Sequence, residues 1–358
     1  MDDIVVIGGG IAGISIAAKL AKSLKVTLLE RETDLGYHAS GRSAAVFIKD
    51  YGNKIIKTLN YASSDYLQNA HGGVLSPRGL LLLGSEDDRD YFTKDSNNLG
   101  LMRISVEEAK LKFPMLRSNV TQYAAYKDDV YDLDTDRLQQ IFLKESRQND
   151  AFIKTNAEVT NICFRNNHWK VLTKKDQYEA KILVNASGAW IDEIAILAGI
   201  SPINFTAYRR SMARAPVPGA LDPSCWPLLM GVNEQWYAKP DAGQLIISPA
   251  EEDPVPAQDA WAEDLILAEG IERFQQFITQ PITRISSNWA GLRTFSPDRS
   301  LVIGHSKQNR NFFWLGGQGG YGFQTAAAAS ELAAELILGK KTTLPVNIVR
   351  ALSPDRFS

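Results

Sequence analysis

Cysteine, histidine and long apolar runs are what this chain of 358 residues has least of. Its two cysteines, Cys163 and Cys225, stand far apart and outside any C-x-x-C or metal spacing. A disulfide framework is thereby excluded, and the thiols read as packing residues of a reducing compartment. The four histidines, His38, His71, His168 and His305, show no ligand spacing. No Ser/His/Asp or Cys/His pattern accompanies them, so neither a metal centre nor a nucleophilic acyl transferase is indicated. An excess of one charge is also missing: 39 basic residues face 41 acidic ones, leaving no electrostatic footprint for nucleic acid. Even the most apolar stretch, "AAAASELAAELILG", carries two glutamates and falls short of a membrane span. No basic region precedes the first strand, as a secretory signal would require. Repeats and low-complexity tracts are absent. A soluble, cytoplasmic protein is expected, with peripheral membrane contact left open, and the length allows two domains with well-buried cores.

Glycine, in contrast, is placed with purpose. In "DDIVVIGGGIAGISIAAKLAKSLKVTLLERE", Ile4 to Ile7 reads as a buried parallel strand, and Ile11 to Leu24 has helical apolar spacing. Gly8, Gly10 and Gly13 between them keep G-x-G-x-x-G register. A second strand, Val26 to Leu29, ends in Glu30, about twenty residues after the first glycine. In such a turn the first glycine permits the tight bend, the second lets backbone approach a pyrophosphate, and the third allows close helix-to-strand packing. Glu30 would then accept from ribose hydroxyls. Gly8, Gly10, Ile11, Ala12, Gly13, Glu30 and Arg31 are the expected dinucleotide contacts at this end.

Further along, helices are expected at Asn53 to Asn69, in "SVEEAKLKFP" behind a capping box of Ser105 and Glu108, and in "DTDRLQQIFLKESRQ". A short strand falls at Gly79 to Leu83. Residues 152 to 185 read as a three-stranded meander that ends in a second glycine turn at Ser187-Gly188 and a helix, Ile191 to Ala198. Residues 205 to 295 are β-rich, with a hairpin at Asp241-Ala242-Gly243 and one helix, Ala262 to Phe277. A third glycine turn, "GGQGGYGFQT", leads into a final alanine-rich helix. Glycine turns from three distant segments must converge on one ligand, which suits FAD better than the contiguous domain typical for NAD.

The blocks "YHASGRSAAV", "VNASGAW", "WAGLRTFSPD" and "FFWLGGQGGYGFQTA" resemble, in order and spacing, the FAD-dependent D-amino acid oxidase and glycine oxidase superfamily. The resemblance runs nearly end to end and looks closest to the bacterial D-arginine dehydrogenase branch. It implies an α/β fold: a glutathione-reductase-type, Rossmann-like FAD-binding domain interrupted by an α+β substrate domain with a mostly antiparallel sheet. The FAD-binding parts are expected at 1–75, 134–203 and 297–358, and the substrate domain at 76–133 and 204–296. It further implies non-covalent FAD held by His38, Ser40, Gly41, Arg42, Ser43 and Ala44 of the second block. Val159, Gly188, and Gly319, Gly320, Tyr321, Gly322 and Phe323 of the last block complete that set. The final helix would turn its positive end toward the flavin edge where negative charge develops.

On the substrate side the resemblance implies a carboxylate clamp of Arg210 and Arg293. Both sit in otherwise apolar or aromatic strand text, where an unpaired guanidinium is costly, and a guanidinium fork matches a carboxylate in bidentate fashion. Arg209, next door, falls on the opposite face of a regular strand. Tyr51, Tyr237 and Gln324 match family positions around the substrate.

Two positions depart from the arginine-specific relatives. The acid that meets a cationic side chain is replaced by Leu80, and a family histidine by Val46, so the pocket is more apolar. The expected reaction is oxidative deamination of an apolar or small neutral D-amino acid by hydride transfer from Cα to flavin N5. The imine then hydrolyses to 2-oxo acid and ammonia, and oxygen or a quinone takes the electrons. N-alkyl glycines, D-proline and 2-hydroxy acids remain alternatives, as does a non-catalytic FAD-binding subunit, and the protein is expected as monomer or homodimer.

Overall fold

A computed structural model describes residues 1–357. The first strand, Asp2–Ile7, lies between two parallel neighbours, Val26–Leu29 and Gln177–Asn185, at the centre of an eight-stranded sheet. Its burial on both faces explains its unbroken apolar text. Phe152–Lys154 extends the sheet beyond Val26–Leu29, and Phe312–Gly316 pairs in parallel with Gln177–Asn185. The meander of Val159–Arg165, His168–Thr173 and Gln177–Asn185 is antiparallel, as its alternating text expects.

Helices Ile11–Leu20, Lys54–Asn69, Thr135–Gln148 and Gly322–Ile337 share one apolar core on one side of this sheet. Alanines at 326–329 and 333–334 keep the last of these slim enough to pack closely against its neighbours. The first helix stops at Leu20, short of the expected Leu24, because Ala21 to Ser23 turn over before the second strand. The capping box on Val106–Lys112 is present, with Ser105 and Glu108 bonding reciprocally.

A second sheet of nine strands is mostly antiparallel. Its longest member, Thr206–Pro216, pairs from Thr206 to Arg214 with Ser287–Phe295, and with Gln244–Ser248 and Asp253–Val255 on the other side. The expected hairpin joins Tyr237–Asp241 to Gln244–Ser248, and the helix of this region runs Asp264–Gln275. Leu80–Gly84 supplies the parallel pair, beside Leu228–Gly231. A small third sheet, unanticipated from sequence, joins Val46–Ile48 and Leu75–Pro77 through Val130–Leu133. It brings Val46 and Ile48 to the cleft described below. Among the described residues no helix is long and apolar enough to cross a membrane.

Candidate active site

The two large sheets enclose one long cleft holding about 2270 Å³ of space not filled by atoms, part of it open to solvent. One end begins at the glycine turn. Gly8 has φ +108°, and a Cβ there would stand 2.4 Å from the Ala186 carbonyl oxygen, so only glycine lets this strand end meet the "NASGAW" segment. A Cβ on Gly13 would lie 1.8 Å from the Gly8 carbonyl oxygen, which is the close helix-to-strand approach that the spacing predicts. Gly13 accordingly shapes the turn and does not itself line the cleft. Gly8, Gly10, Ile11 and Ala12 do line it, and the helix behind them has neither a side-chain cap nor an acidic residue in its first turn. That leaves positive backbone character facing the cleft.

Glu30 is buried at this end and lines the cleft. Its Oε2 accepts from the Gly9 N–H at 2.6 Å and its Oε1 from the Glu32 N–H at 2.8 Å, so it is fixed in place with lone pairs to spare. Arg31, Val159, Gly188 and Trp190 line the same end, where the Arg31 guanidinium stacks 4.3 Å from the Trp190 ring centroid. His38, Ser40, Arg42, Ser43 and Ala44 follow along the wall. Gly41 does not reach it, since its N–H turns back to the Gly36 carbonyl. Ser40 Oγ accepts from the Ile11 N–H at 3.0 Å, joining this loop to the glycine turn. Arg42 straps the loop to the Ser287–Phe295 strand through the Ala290 carbonyl at 3.1 Å, and also donates to Asp259 and to the Ala260 carbonyl at 2.8 Å in the loop before Asp264–Gln275.

Gly319, Gly320, Gly322, Phe323 and Gln324 form the far wall at the start of the last helix. Gln324 is 3% exposed and its Nε2 has no partner among the described residues. A buried amide donor left open, on a helix N-terminus with no acidic residue, fits a ligand edge that accepts hydrogen bonds. Tyr321 lies outside the lining; its ring packs between Tyr51, at 5.5 Å, and Phe295, at 6.0 Å. The orphan donor, the glycine cradle and the fixed carboxylate together fit a dinucleotide with a flavin at this end.

Strand register brings the two arginines together. Arg210 pairs opposite Gly291 and Tyr208 opposite Arg293, so both guanidiniums rise from one face, a diagonal step apart. Arg209 faces away, bound to Asp253 and Glu263. Arg210 is 3% exposed; Nη2 meets Glu252 Oε1 at 3.3 Å, while Nε and Nη1 have no partner among the described residues. Burial, and then the neighbouring Arg293 charge, push its pKa below the ordinary guanidinium value. Arg293 has no ion-pair partner within 4.0 Å among the described residues. Burial acts to lower its pKa too, but Tyr51, Tyr237 and Glu234 more than offset this and raise it. Both remain cations at neutral pH.

Val46, Ile48, Leu228, Met230, Tyr51 and Tyr237 close the pocket around them. Leu80 is a correction. It pairs with Leu228 on the same sheet face but lies one strand beyond the lining, wholly buried against Leu82 and Ile48. Its apolar contribution to the site is support behind Leu228, without contact with the cleft.

The residue that sequence reading missed is Glu234. It lines the pocket and accepts from Tyr51 Oη at 2.9 Å. Asn233 and Glu234 are both left-handed, with φ of 53° and 50°, and this strained turn swings the carboxylate inward between exposed neighbours. Nothing in "GVNEQWY" marks it beyond an Asn that tolerates such a turn. Burial, and next the Glu234 charge, hold the Tyr51 phenol far above its usual pKa, so it stays a donor.

Comparison with known proteins identifies the family. The family of FAD-dependent oxidoreductases designated DAO matches residues 3–336. The chain is 23% identical over 385 residues to human mitochondrial dimethylglycine dehydrogenase, covering 99% of this chain and 44% of that protein. It is 26% identical to a solved L-proline dehydrogenase from P. horikoshii, with a TM-score of 0.84 over 99% of this chain and 97% of the other. An L-α-glycerophosphate oxidase from Mycoplasma pneumoniae, solved with FAD bound, is 19% identical with a TM-score of 0.86, each chain 96% covered. The protein belongs to the DAO family of FAD-dependent oxidoreductases, and its cofactor is FAD. The expected affinity to the D-arginine dehydrogenase branch within that family is not singled out by these relatives.

Proposed function

We propose that the protein oxidises the Cα–N bond of an amino acid with a small or apolar side chain, the D-enantiomer being the expected hand. The observation that carries this reading is the pair of guanidiniums on one sheet face, Arg210 buried and Arg293 partly buried, with open donors on Arg210 and no counter-ion on Arg293 among the described residues. Such a pair is costly unless a ligand carboxylate completes it. FAD, when bound, supplies the two-electron acceptor for the Cα hydride. Arg210 and Arg293 then fix the substrate by its carboxylate, and Tyr51 and Tyr237 flank it. Val46, Ile48, Leu228 and Met230 offer the side chain an apolar wall without a charge to meet a guanidinium. Positioning of this kind carries most of the rate, and the imine product hydrolyses to 2-oxo acid and ammonia in water.

A secondary amino acid, such as proline or an N-alkyl glycine, is the second reading. It is favoured by the likeness to the L-proline dehydrogenase, whose name states its substrate. Turnover with a dye acceptor on paired D- and L-amino acids, proline and N-methylglycine tests both. Preference for apolar D-amino acids supports the first, preference for secondary amines the second, and turnover of 2-hydroxy acids alone overturns both.

A further inference from the structure

The pocket holds two guanidiniums and needs something to receive a substrate nitrogen beside them. Glu234 is the only carboxylate among the described residues that lines the cleft at the arginine end; Glu30, Glu158 and Glu193 line it at the glycine-turn end. Its Oε2 is taken by the Tyr51 hydroxyl at 2.9 Å. Among the described residues its Oε1 has no donor, and no cation stands within 4.0 Å of the carboxylate. The group is nevertheless held firmly. Two consecutive left-handed residues aim it, and Asp95 Oδ2 pins the turn by accepting the Asn233 N–H at 2.5 Å. A non-glycine backbone keeps such a conformation only where its surroundings enforce it.

From this geometry we infer that Glu234 recognises the amine of the substrate. One substrate N–H is donated to Oε1 while Arg210 and Arg293 take the α-carboxylate, and the carboxylate charge offsets the repulsion between an amine bearing positive charge and the two guanidiniums. A charge-assisted hydrogen bond of this kind favours N–H donors with cationic character over an ether or ester oxygen, which has no proton to give. Glu234 thereby selects amines at a site whose arginines alone would accept any carboxylate. Glu234 acts through direct contact with the substrate, and Tyr51 holds its other oxygen. This inference rests on the amino acid reading of the site.

The test uses the FAD-loaded protein and matched ligands that differ only at nitrogen. N-methylglycine is compared with methoxyacetate, and proline with tetrahydro-2-furoate. Affinity for the amines is read from the concentration dependence of anaerobic flavin reduction, and affinity for the ethers from perturbation of the flavin absorbance. In Glu234→Gln the amine dissociation constant should rise tenfold or more, while that for the ether changes less than threefold. Equal weakening of both would make Glu234 merely structural support for Tyr51 and overturn the inference, as would no change in either. Should Glu234→Gln fail to retain FAD, Glu234→Asp, with the charge kept and the reach shortened, carries the same comparison. If amines reduce the wild-type protein but the ratio does not move, only this inference fails. If no amine reduces the wild type, the proposed function fails with it.

Discussion

Arg210 and Arg293 stand on neighbouring antiparallel strands, Arg210 opposite Gly291 and Arg293 opposite Tyr208, and so share one face of the sheet over the cleft. The glycine opposite Arg210 leaves that side of the pocket without a side chain. Arg293→Met removes one fork of the clamp and leaves the cradle for FAD untouched. Charge-assisted bonds of about 1.5–3 kcal/mol each predict that carboxylate affinity falls by roughly 10²-fold. Titration with an unreactive carboxylate measures this, and an unchanged flavin-to-protein absorbance ratio checks that FAD stays bound.

Tyr51 is held protonated by burial and then by the charge of Glu234, which raise its pKa. A group with a raised pKa keeps its proton from low pH up through its ordinary value near 10, so its donor role persists over the whole working range. The kcat/KM of Tyr51→Phe should therefore fall by about tenfold at every pH between 6 and 10. A basic limb present in the wild type and lost in the variant would contradict this.

Leu80 lies behind the pocket wall and is wholly buried. Leu80→Glu would place a carboxylate among Leu82, Ile48 and Leu228 with no cation to meet it, at a cost of about 3 kcal/mol or more. The expected result is a drop of several degrees in Tm without any gain of D-arginine oxidation, read by thermal unfolding and by turnover.

Asp259, in the loop between Asp253–Val255 and Asp264–Gln275, is tied through Arg42 to the loop that lines the cofactor cleft. The Arg42 hydrogen bond holds the Asp259 pKa below its usual value. A depressed carboxylate contributes its stabilisation above its ordinary pKa of about 3.9 and loses it as pH falls through the folded value. Because Asp259 is more than half exposed, the contact is worth about 1 kcal/mol or less. Asp259→Asn should speed FAD release about two- to fivefold at pH 7, a difference that shrinks in acid. Stopped-flow or dialysis with flavin fluorescence measures it.

Much of this was legible in the chain because it rests on residue types with few other uses. Glycines at 8, 10 and 13, an acid at 30 and arginines in apolar strands each solve a local physical problem that spacing reveals. Leu80 misled because sequence gives the face of a strand but not its distance from the cleft. Val46 reaches the pocket on a small sheet that the sequence does not show. Glu234 stayed hidden because its role depends on a left-handed turn and on Tyr51, 183 positions away in sequence.

On the proposed reading, this cleft oxidises amino acids held by two arginines. Anaerobic mixing of the yellow protein with D- and L-amino acids, N-methylglycine, proline and 2-hydroxy acids, followed at the flavin absorbance band, tests it most directly. Rapid bleaching is expected with small or apolar amino acids, little with D-arginine, and that bleaching should be lost at the same concentrations in Arg293→Met. Bleaching by hydroxy acids alone, or by none of these compounds, would contradict it.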